Sequence, residues 1–459
     1  MKNKKTILRL FFTLLLVAAL ALSMTSCLSL VESLAGSGGS GNRDEGGSGG
    51  ILGGGLGGGL GGGNEGDSQS PEGDSGSEGG ESDGGSTAEP PEFYPKDEDA
   101  PSAESTAASS KPLLSVVRIV SNFKSYSYSY GGYPSSSTID YHSEGSGVIY
   151  KLDREAGDAY IITNYHVVYD DDSITTSGIS EDIDLYLYGQ EGENYAISAT
   201  YIGGSMTYDL AVLKVTGSEI IKNSYALAAS IASLADVSVL DEVIAVGNPE
   251  GFGISVTKGI VSVDSETLSI TAADGRSTIA LRVMRVDAAI NEGNSGGGLF
   301  DTEGNLIGIV NAKRTGEEVD NIGYAIPISL AKNIADSIIY YCDGKTETSF
   351  YRCLIGITLG ADVSGLSIDN ETGKITKVER VSIDEISDTC ILKDEIAVGD
   401  IVKSITVDGA ARSVTRTHHL IDHMMSARVG STISITVERG GAEMTFTVTI
   451  PESVLTKVK

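Results

Sequence analysis

The chain has 459 residues, with 63 Asp and Glu against 33 Lys and Arg, a formal net charge of −30. That balance favours solubility and argues against nucleic acid as a partner. Four cysteines in such a length exclude a disulfide-stapled scaffold, and no Cys/His run has zinc spacing and no glycine motif cradles a phosphate, so neither a metal nor a cofactor is expected.

Residues 1–27 read as a targeting segment. Lys2, Lys4, Lys5 and Arg9 form a basic region, and Leu10 to Leu22 an apolar one. Met24-Thr25-Ser26-Cys27 then resembles a lipobox. It implies lipidation of Cys27 and cleavage before it; Met24 is unusual there, and an uncleaved signal anchor is the alternative. Either device tethers the chain outside a bacterial cytoplasmic membrane. Residues 28–111 are Gly, Ser, Asp and Glu with almost no aromatics, a composition that cannot bury a core, and they read as a disordered acidic spacer.

From Leu113 to Pro327 short β-type runs alternate with Gly, Asp, Asn and Ser turns. Val116–Val120, Gly147–Lys151, Asp184–Tyr188, Ala211–Val215, Glu242–Val246 and Leu306–Val310 are the clearest. A mostly β barrel or sandwich follows. Three residues stand out in it. His166 follows the run Tyr160-Ile161-Ile162, Asp209 opens Leu210-Ala211-Val212-Leu213, and Ser295 sits in Gly293-Asn294-Ser295-Gly296-Gly297-Gly298. A serine on a glycine turn, with N–H groups converging beside it, suits an acyl-transfer nucleophile.

The order His, Asp, Ser, with Gly145-Ser146-Gly147, Gly247-Asn248-Pro249, Thr257-Lys258-Gly259, Asp287-Ala288-Ala289-Ile290-Asn291, Gly304-Asn305-Leu306 and Ile322-Gly323-Tyr324 around it, resembles the HtrA family of trypsin-like serine proteases. The resemblance implies a protease domain over residues 112–341 built as two antiparallel β-barrels, the first ending near residue 225. It makes Ser295 the nucleophile, His166 the general base and Asp209 the residue that orients it. Gly293, Asn294 and Ser295 form the oxyanion turn, with the N–H groups of Gly293 and Ser295 as donors. Ile290, Asn291, Asn311 and Ala312 line the specificity pocket. No acidic residue stands at the pocket floor, and Lys313 and Arg314 follow, so small aliphatic side chains are favoured over basic ones.

Three departures carry consequences. Gly298 stands where the family has proline, which loosens the turn. Residues 124–141 are a Tyr/Ser-rich insertion. Asn294 replaces the aspartate that pairs with a new N-terminus in trypsin zymogens, so no proteolytic activation is expected. His142 beside the insertion is expected in solvent.

Ser329 to Tyr341 reads as a helix capped by Ser329, with Leu330, Ile334, Ile338 and Tyr341 at helical spacing. Residues 350–451 resemble a PDZ-like α+β domain. Leu354, Ile355, Gly356 and Ile357 match its carboxylate-binding loop, and His418 to Ala427 its groove helix, with His418, His419 and His423 on a solvent face or groove wall. Strands follow over Thr432–Arg439 and Glu443–Ile450. Such a domain binds peptide C-termini by strand addition. Of Cys342, Cys353 and Cys390, one pair could bridge, leaving at least one thiol. The whole reads as an extracytoplasmic, membrane-tethered serine endopeptidase acting on unfolded or misfolded polypeptides. The resemblance also implies a homotrimer. A binding protein on a protease scaffold and an esterase with the same triad are the rival readings.

Overall fold

The structure, a computed structural model, describes residues 107–458 apart from 129–133, 191, 233–236, 250–252 and 313–321. Cys27, the leader, linker residues 28–106 and the pair Lys313 and Arg314 lie outside the described residues. The last residues assigned to the linker are structured. A turn at Ala108–Ser110 and a short helix at Lys111–Ser115 lie against Gly304, whose added Cβ would come 2.2 Å from the Ala108 carbonyl oxygen.

Two barrels follow, as their alternating patterns require. The first closes in the order β1 (Val116–Tyr128), β2 (Pro134–Asp153), β3 (Asp158–Thr163), β6 (Leu210–Val215), β5 (Ile197–Ser205) and β4 (Asp182–Leu187), and β4 returns to β1. Its interior is filled by Ile119, Ile149, Ile161, Ile183, Leu185 and Leu213, which are branched side chains that suit a pleated wall. The second runs β11 (Gly298–Phe300), β8 (Glu242–Gly247), β9 (Ser255–Thr271), β10 (Thr278–Val286), β13 (Gly323–Pro327) and β12 (Asn305–Asn311). Pairing of β11 with β12 closes it, and β7 (Ser230–Ile231) adds to β12 in parallel.

The Tyr/Ser-rich insertion is mostly strand. β1 and β2 continue as an antiparallel hairpin through Tyr126 opposite Thr138 to Tyr128 opposite Pro134. His142 lies on this hairpin, 57% exposed and 3.6 Å from Glu144. Gly298 does not loosen the turn. It pairs with Val246 on one side and Ile309 on the other, and the buried Phe300 ring fills the space of its missing side chain, 2.3 Å from an added Cβ.

The helix Ile328–Cys342 packs Leu330, Ile334 and Ile338 into a core shared by both barrels. Ser329 does not cap it. Pro327 occupies the cap position, and the Ser329 hydroxyl donates to Asp422 Oδ2 at 2.7 Å. Past this helix, β14 (Tyr351–Cys353) pairs β21 (Leu455–Lys457). A separate sheet runs in the order β15 (Ile357–Ile368), β16 (Ile375–Ile386), β17 (Ile401–Val407), β19 (Thr432–Arg439) and β20 (Ala442–Thr449), with β18 (Ala410–Ser413) on β17. The helix Thr417–Met424 covers its core with Leu420 and Met424. Cys342, Cys353 and Cys390 are all free and buried, so no bridge forms among them.

Two of the three histidines of that short helix are buried, and His418 is half-buried. His419 is 2% exposed and His423 8%. His423 Nε2 bonds the Ala410 carbonyl at 2.8 Å. The neighbouring Asp422 is buried and paired with Arg282 of β10. Arg416 reaches Asp264 of β9 at 2.6 Å and Glu379 of β16 at 3.3 Å. This charged seam docks the C-terminal sheet unit against the second barrel.

Candidate active site

The site is assembled from three strand ends. β3 stops at Thr163, and Asn164 turns the chain into the single helical turn Tyr165–Val168. Asn164 does not cap that turn with its side chain; its amide donates to the Asp209 carbonyl at 2.8 Å. Asp209 has a left-handed backbone, φ 50°, rare for a residue other than glycine. That conformation, at the mouth of β6, coincides with its carboxylate being turned inward, 2% exposed.

Three N–H groups converge on this carboxylate. His166 Nδ1 lies 2.7 Å from Oδ2, the His166 backbone N–H donates to Oδ1 at 3.1 Å, and Asn311 Nδ2 donates to Oδ2 at 2.8 Å. A carboxylate only accepts, so Nδ1 carries a proton, and in the neutral tautomer Nε2 is the nitrogen with the lone pair. Asn311 was expected in the specificity pocket; its amide is spent on Asp209 instead. Its residue type held the signal, since a buried strand-end asparagine needs a partner.

Ser295 lies on the turn before β11 and is 5% exposed. Gly293 and Gly296 have φ of 88° and 83°, which lets the chain reverse twice in four residues. The turn is held from several sides. Ser295 C=O accepts from Ser146 N–H at 2.8 Å, Gly296 N–H donates to Val310 C=O at 2.9 Å, and Asn294 N–H donates to Asn291 C=O at 3.1 Å. The Ser146 hydroxyl donates to the Gly293 carbonyl at 2.7 Å and accepts from Asn248 N–H at 2.8 Å. The N–H groups of Gly293 and Ser295 make no hydrogen bond within the described residues. Asn294 N–H, by contrast, is engaged inside the turn.

The Ser295 hydroxyl accepts from Ala312 N–H at 3.2 Å. Among the described residues no hydrogen bond runs directly from it to His166. The two are linked through the segment Asn311-Ala312, which touches Asp209 with one residue and Ser295 with the next. Ile290 is half-buried against Gly323, and Asn291 is exposed.

The loop Leu354–Ile357 closes one end of a groove of about 900 Å³ between β15 and the helix Thr417–Met424. Gly356 turns with φ 84°. Leu354 N–H donates to Val454 C=O at 2.9 Å, whereas the Ile355 and Gly356 N–H groups make no hydrogen bond within the described residues. Arg352 lines the same end. Its Nη1 donates to the Tyr208 hydroxyl at 2.8 Å, and its Nε is buried with no partner.

A family model described as a trypsin-like peptidase domain matches residues 145–309. Serine protease Do-like HtrA of Lactococcus lactis subsp. cremoris (strain MG1363) is 31% identical over 373 residues, 76% of this chain and 83% of that protein. Serine endoprotease DegS of Escherichia coli (strain K12) is 31% identical over 324 residues, 69% of this chain and 79% of that protein. Among solved structures, an HtrA-type protease AlgW with decapeptide is 24% identical, with 75% of this chain and 97% of that chain covered and a TM-score of 0.45.

Proposed function

The chain belongs to the HtrA family of serine proteases and is a serine endopeptidase, and from that premise we propose that it cleaves unfolded or misfolded extracytoplasmic polypeptides through Ser295, His166 and Asp209. The observation that carries the assignment is the buried Asp209 carboxylate, which takes three N–H donors and fixes the His166 tautomer. In the mechanism, Ser295 Oγ attacks the scissile carbonyl carbon while His166 Nε2 removes its proton. His166 then returns that proton to the leaving amine, and water repeats the cycle on the acyl-enzyme. Asp209 stabilises the imidazolium. The unpaired N–H groups of Gly293 and Ser295 receive the oxyanion, where one such donor contributes about 3–4 kcal/mol to barrier lowering. The Ser295–His166 hydrogen bond closes when substrate fills the cleft. Ile290, Asn291 and Ala312 border the pocket for a small aliphatic side chain, with Asn311 at its rear.

The C-terminal sheet unit acts as a PDZ-like domain whose groove takes a peptide C-terminus as an added strand, with the carboxylate at Ile355, Gly356 and Arg352. Cys27 carries a lipid that tethers the enzyme to the outer side of the cytoplasmic membrane. Homotrimer assembly rests on the family resemblance alone, and sedimentation of the purified chain tests it.

Casein digestion and fluorophosphonate labelling of the chain with and without Ser295→Ala test the core reading. Both signals should vanish in the variant, with its thermal unfolding unchanged. Labelling that persists in Ser295→Ala overturns the nucleophile. Labelling without casein cleavage favours an esterase.

A further inference from the structure

The groove carries a cation, Arg352, at its closed end and two carboxylates, Asp384 and Glu385, along one side. Building on the peptide-binding reading above, we propose that it selects C-termini with an apolar last residue and a lysine or arginine one or three residues before it.

The direction of the peptide follows from the closed end. Arg352 has a buried, unpartnered Nε, and the Ile355 and Gly356 N–H groups are unpaired. The terminal carboxylate of an extended chain meets that demand. The peptide therefore runs antiparallel to β15, which is the free edge of its sheet. Its side chains then alternate between two faces. The last residue and the second before it face Leu420 and Met424, the apolar side of the groove. The first and third before the last face the side that carries Thr358 and Gly360.

That side is acidic by construction. β16 pairs Glu385 with Thr358 and then Ile383 with Leu359, so Asp384 is a bulge residue with no partner on β15. A bulge re-aims the side chain it carries. Here the Asp384 carboxylate is turned across the edge strand onto Gly360, where an added Cβ would lie 1.9 Å from Oδ2 and 2.7 Å from Oδ1. Gly360 has an ordinary backbone conformation, so what it supplies is the space for this carboxylate. Ser382 donates to Asp384 Oδ1 at 2.8 Å and leaves Oδ2 toward the glycine. Asp384 and Glu385 are both exposed, and among the described residues neither forms an ion pair. The nearest arginine on the strand, Arg380, is already bonded to Asp362, with Nε 2.9 Å from Oδ1. Two unneutralised carboxylates thus flank the path of the penultimate and fourth-from-last side chains. Exposed pairs of this kind are weak and screened by salt, so the discrimination should be about three- to tenfold in Kd at low ionic strength.

Fluorescence anisotropy on the full chain carrying Ser295→Ala tests this. The probes are labelled peptides with a free C-terminal valine, differing only in Lys, Ala or Glu at the second and fourth positions from the end. Affinity should fall in the order Lys, Ala, Glu, and the spread should shrink at high salt. The double variant Asp384→Asn/Glu385→Gln should bind the three peptides alike while keeping the wild-type affinity for the alanine peptide. Asp384→Lys/Glu385→Lys should invert the order. Equal binding of the three peptides by the unaltered groove overturns the charge selection and leaves the peptide-binding reading standing. If none of the free acids binds, or their amides bind as well, the peptide-binding reading falls and the selection with it.

Discussion

Arg352, at the end of the groove between β15 and the helix Thr417–Met424, donates a hydrogen bond of 2.8 Å to the hydroxyl of Tyr208, the residue immediately before Asp209. The Tyr208 ring lies 6.4 Å from Phe350, which is fully buried. The Arg352 end of the groove is therefore braced by the first barrel, one residue from the carboxylate bonded to His166.

Tyr208→Phe keeps the ring packing and removes the hydroxyl. The Arg352 guanidinium then loses its brace, and affinity for a free-acid peptide should fall by about threefold to tenfold, the worth of one hydrogen bond to a charged group partly replaced by water. Anisotropy checks this. An unchanged Kd would show that Arg352 needs no support from the barrel.

Asn311→Ala removes a donor from a buried carboxylate. Stability should drop by about 1.5–3 kcal/mol, and kcat should drop with it because the imidazolium is less well held. Asn311→Asp sets a second carboxylate against Asp209 and should cost more on both counts. Chemical unfolding together with casein kinetics reads both. If Asn311→Ala alters KM alone, the residue belongs to the specificity pocket.

Ser146 answers the question raised by Asn294, namely what orders the nucleophile turn without a trypsin-type ion pair. Its hydroxyl ties the Gly293 carbonyl to the Asn248 N–H. Ser146→Ala frees the Gly293–Asn294 peptide, which lies between the two proposed oxyanion donors, the Gly293 and Ser295 N–H groups. We expect kcat to fall by about tenfold to a hundredfold, with KM nearly unchanged. A variant with full kcat would mean that the backbone bonds from Ser295 and Gly296 suffice.

Acid stability should depend on the domain seam. Burial, with the nearby charges of Arg282, His419, Arg416 and Arg412, pushes the His418 imidazole down to about 2. The folded chain keeps it neutral, while the unfolded chain takes up a proton below its ordinary value of 6.5. Stability is thus fully present above that value and is lost as the pH falls below it, by at most about 1.4 kcal/mol per pH unit for this one group. Denaturant titrations from pH 7 to 5 should show the slope in the wild type and a flatter line in His418→Gln. Parallel lines would remove His418 as the cause.

The barrels were legible because their information is local. Alternating apolar residues and turn signals mark Glu242–Val246 within one residue of the observed β8, and the glycine spacing around Ser295 dictates its reversals. The Tyr/Ser-rich stretch was harder. Ser125, Tyr126, Ser127 and Tyr128 do alternate, but without an apolar face the pattern looks like a loop, and only pairing with β2 makes it strand. The histidine helix misled for a different reason. Eight residues show a polar row, and nothing in them says that the row meets Arg282 and Asp264 of another domain rather than water. The bond from Asn311 to Asp209 was not assigned from sequence because the partner lies 102 residues away in the chain.

The seam between Asp422, Arg282, Arg416 and Asp264 makes the groove a fixed station rather than a tether on a string. On the proposed peptide-binding reading, a polypeptide held by its last residue can reach Ser295 only when enough chain lies between the two points. The enzyme should then measure its substrates. Products cut from C-terminally captured chains would share a minimum tail length, set by the span from Gly356 to Ser295, and tails shorter than that would remain uncut however well they bind.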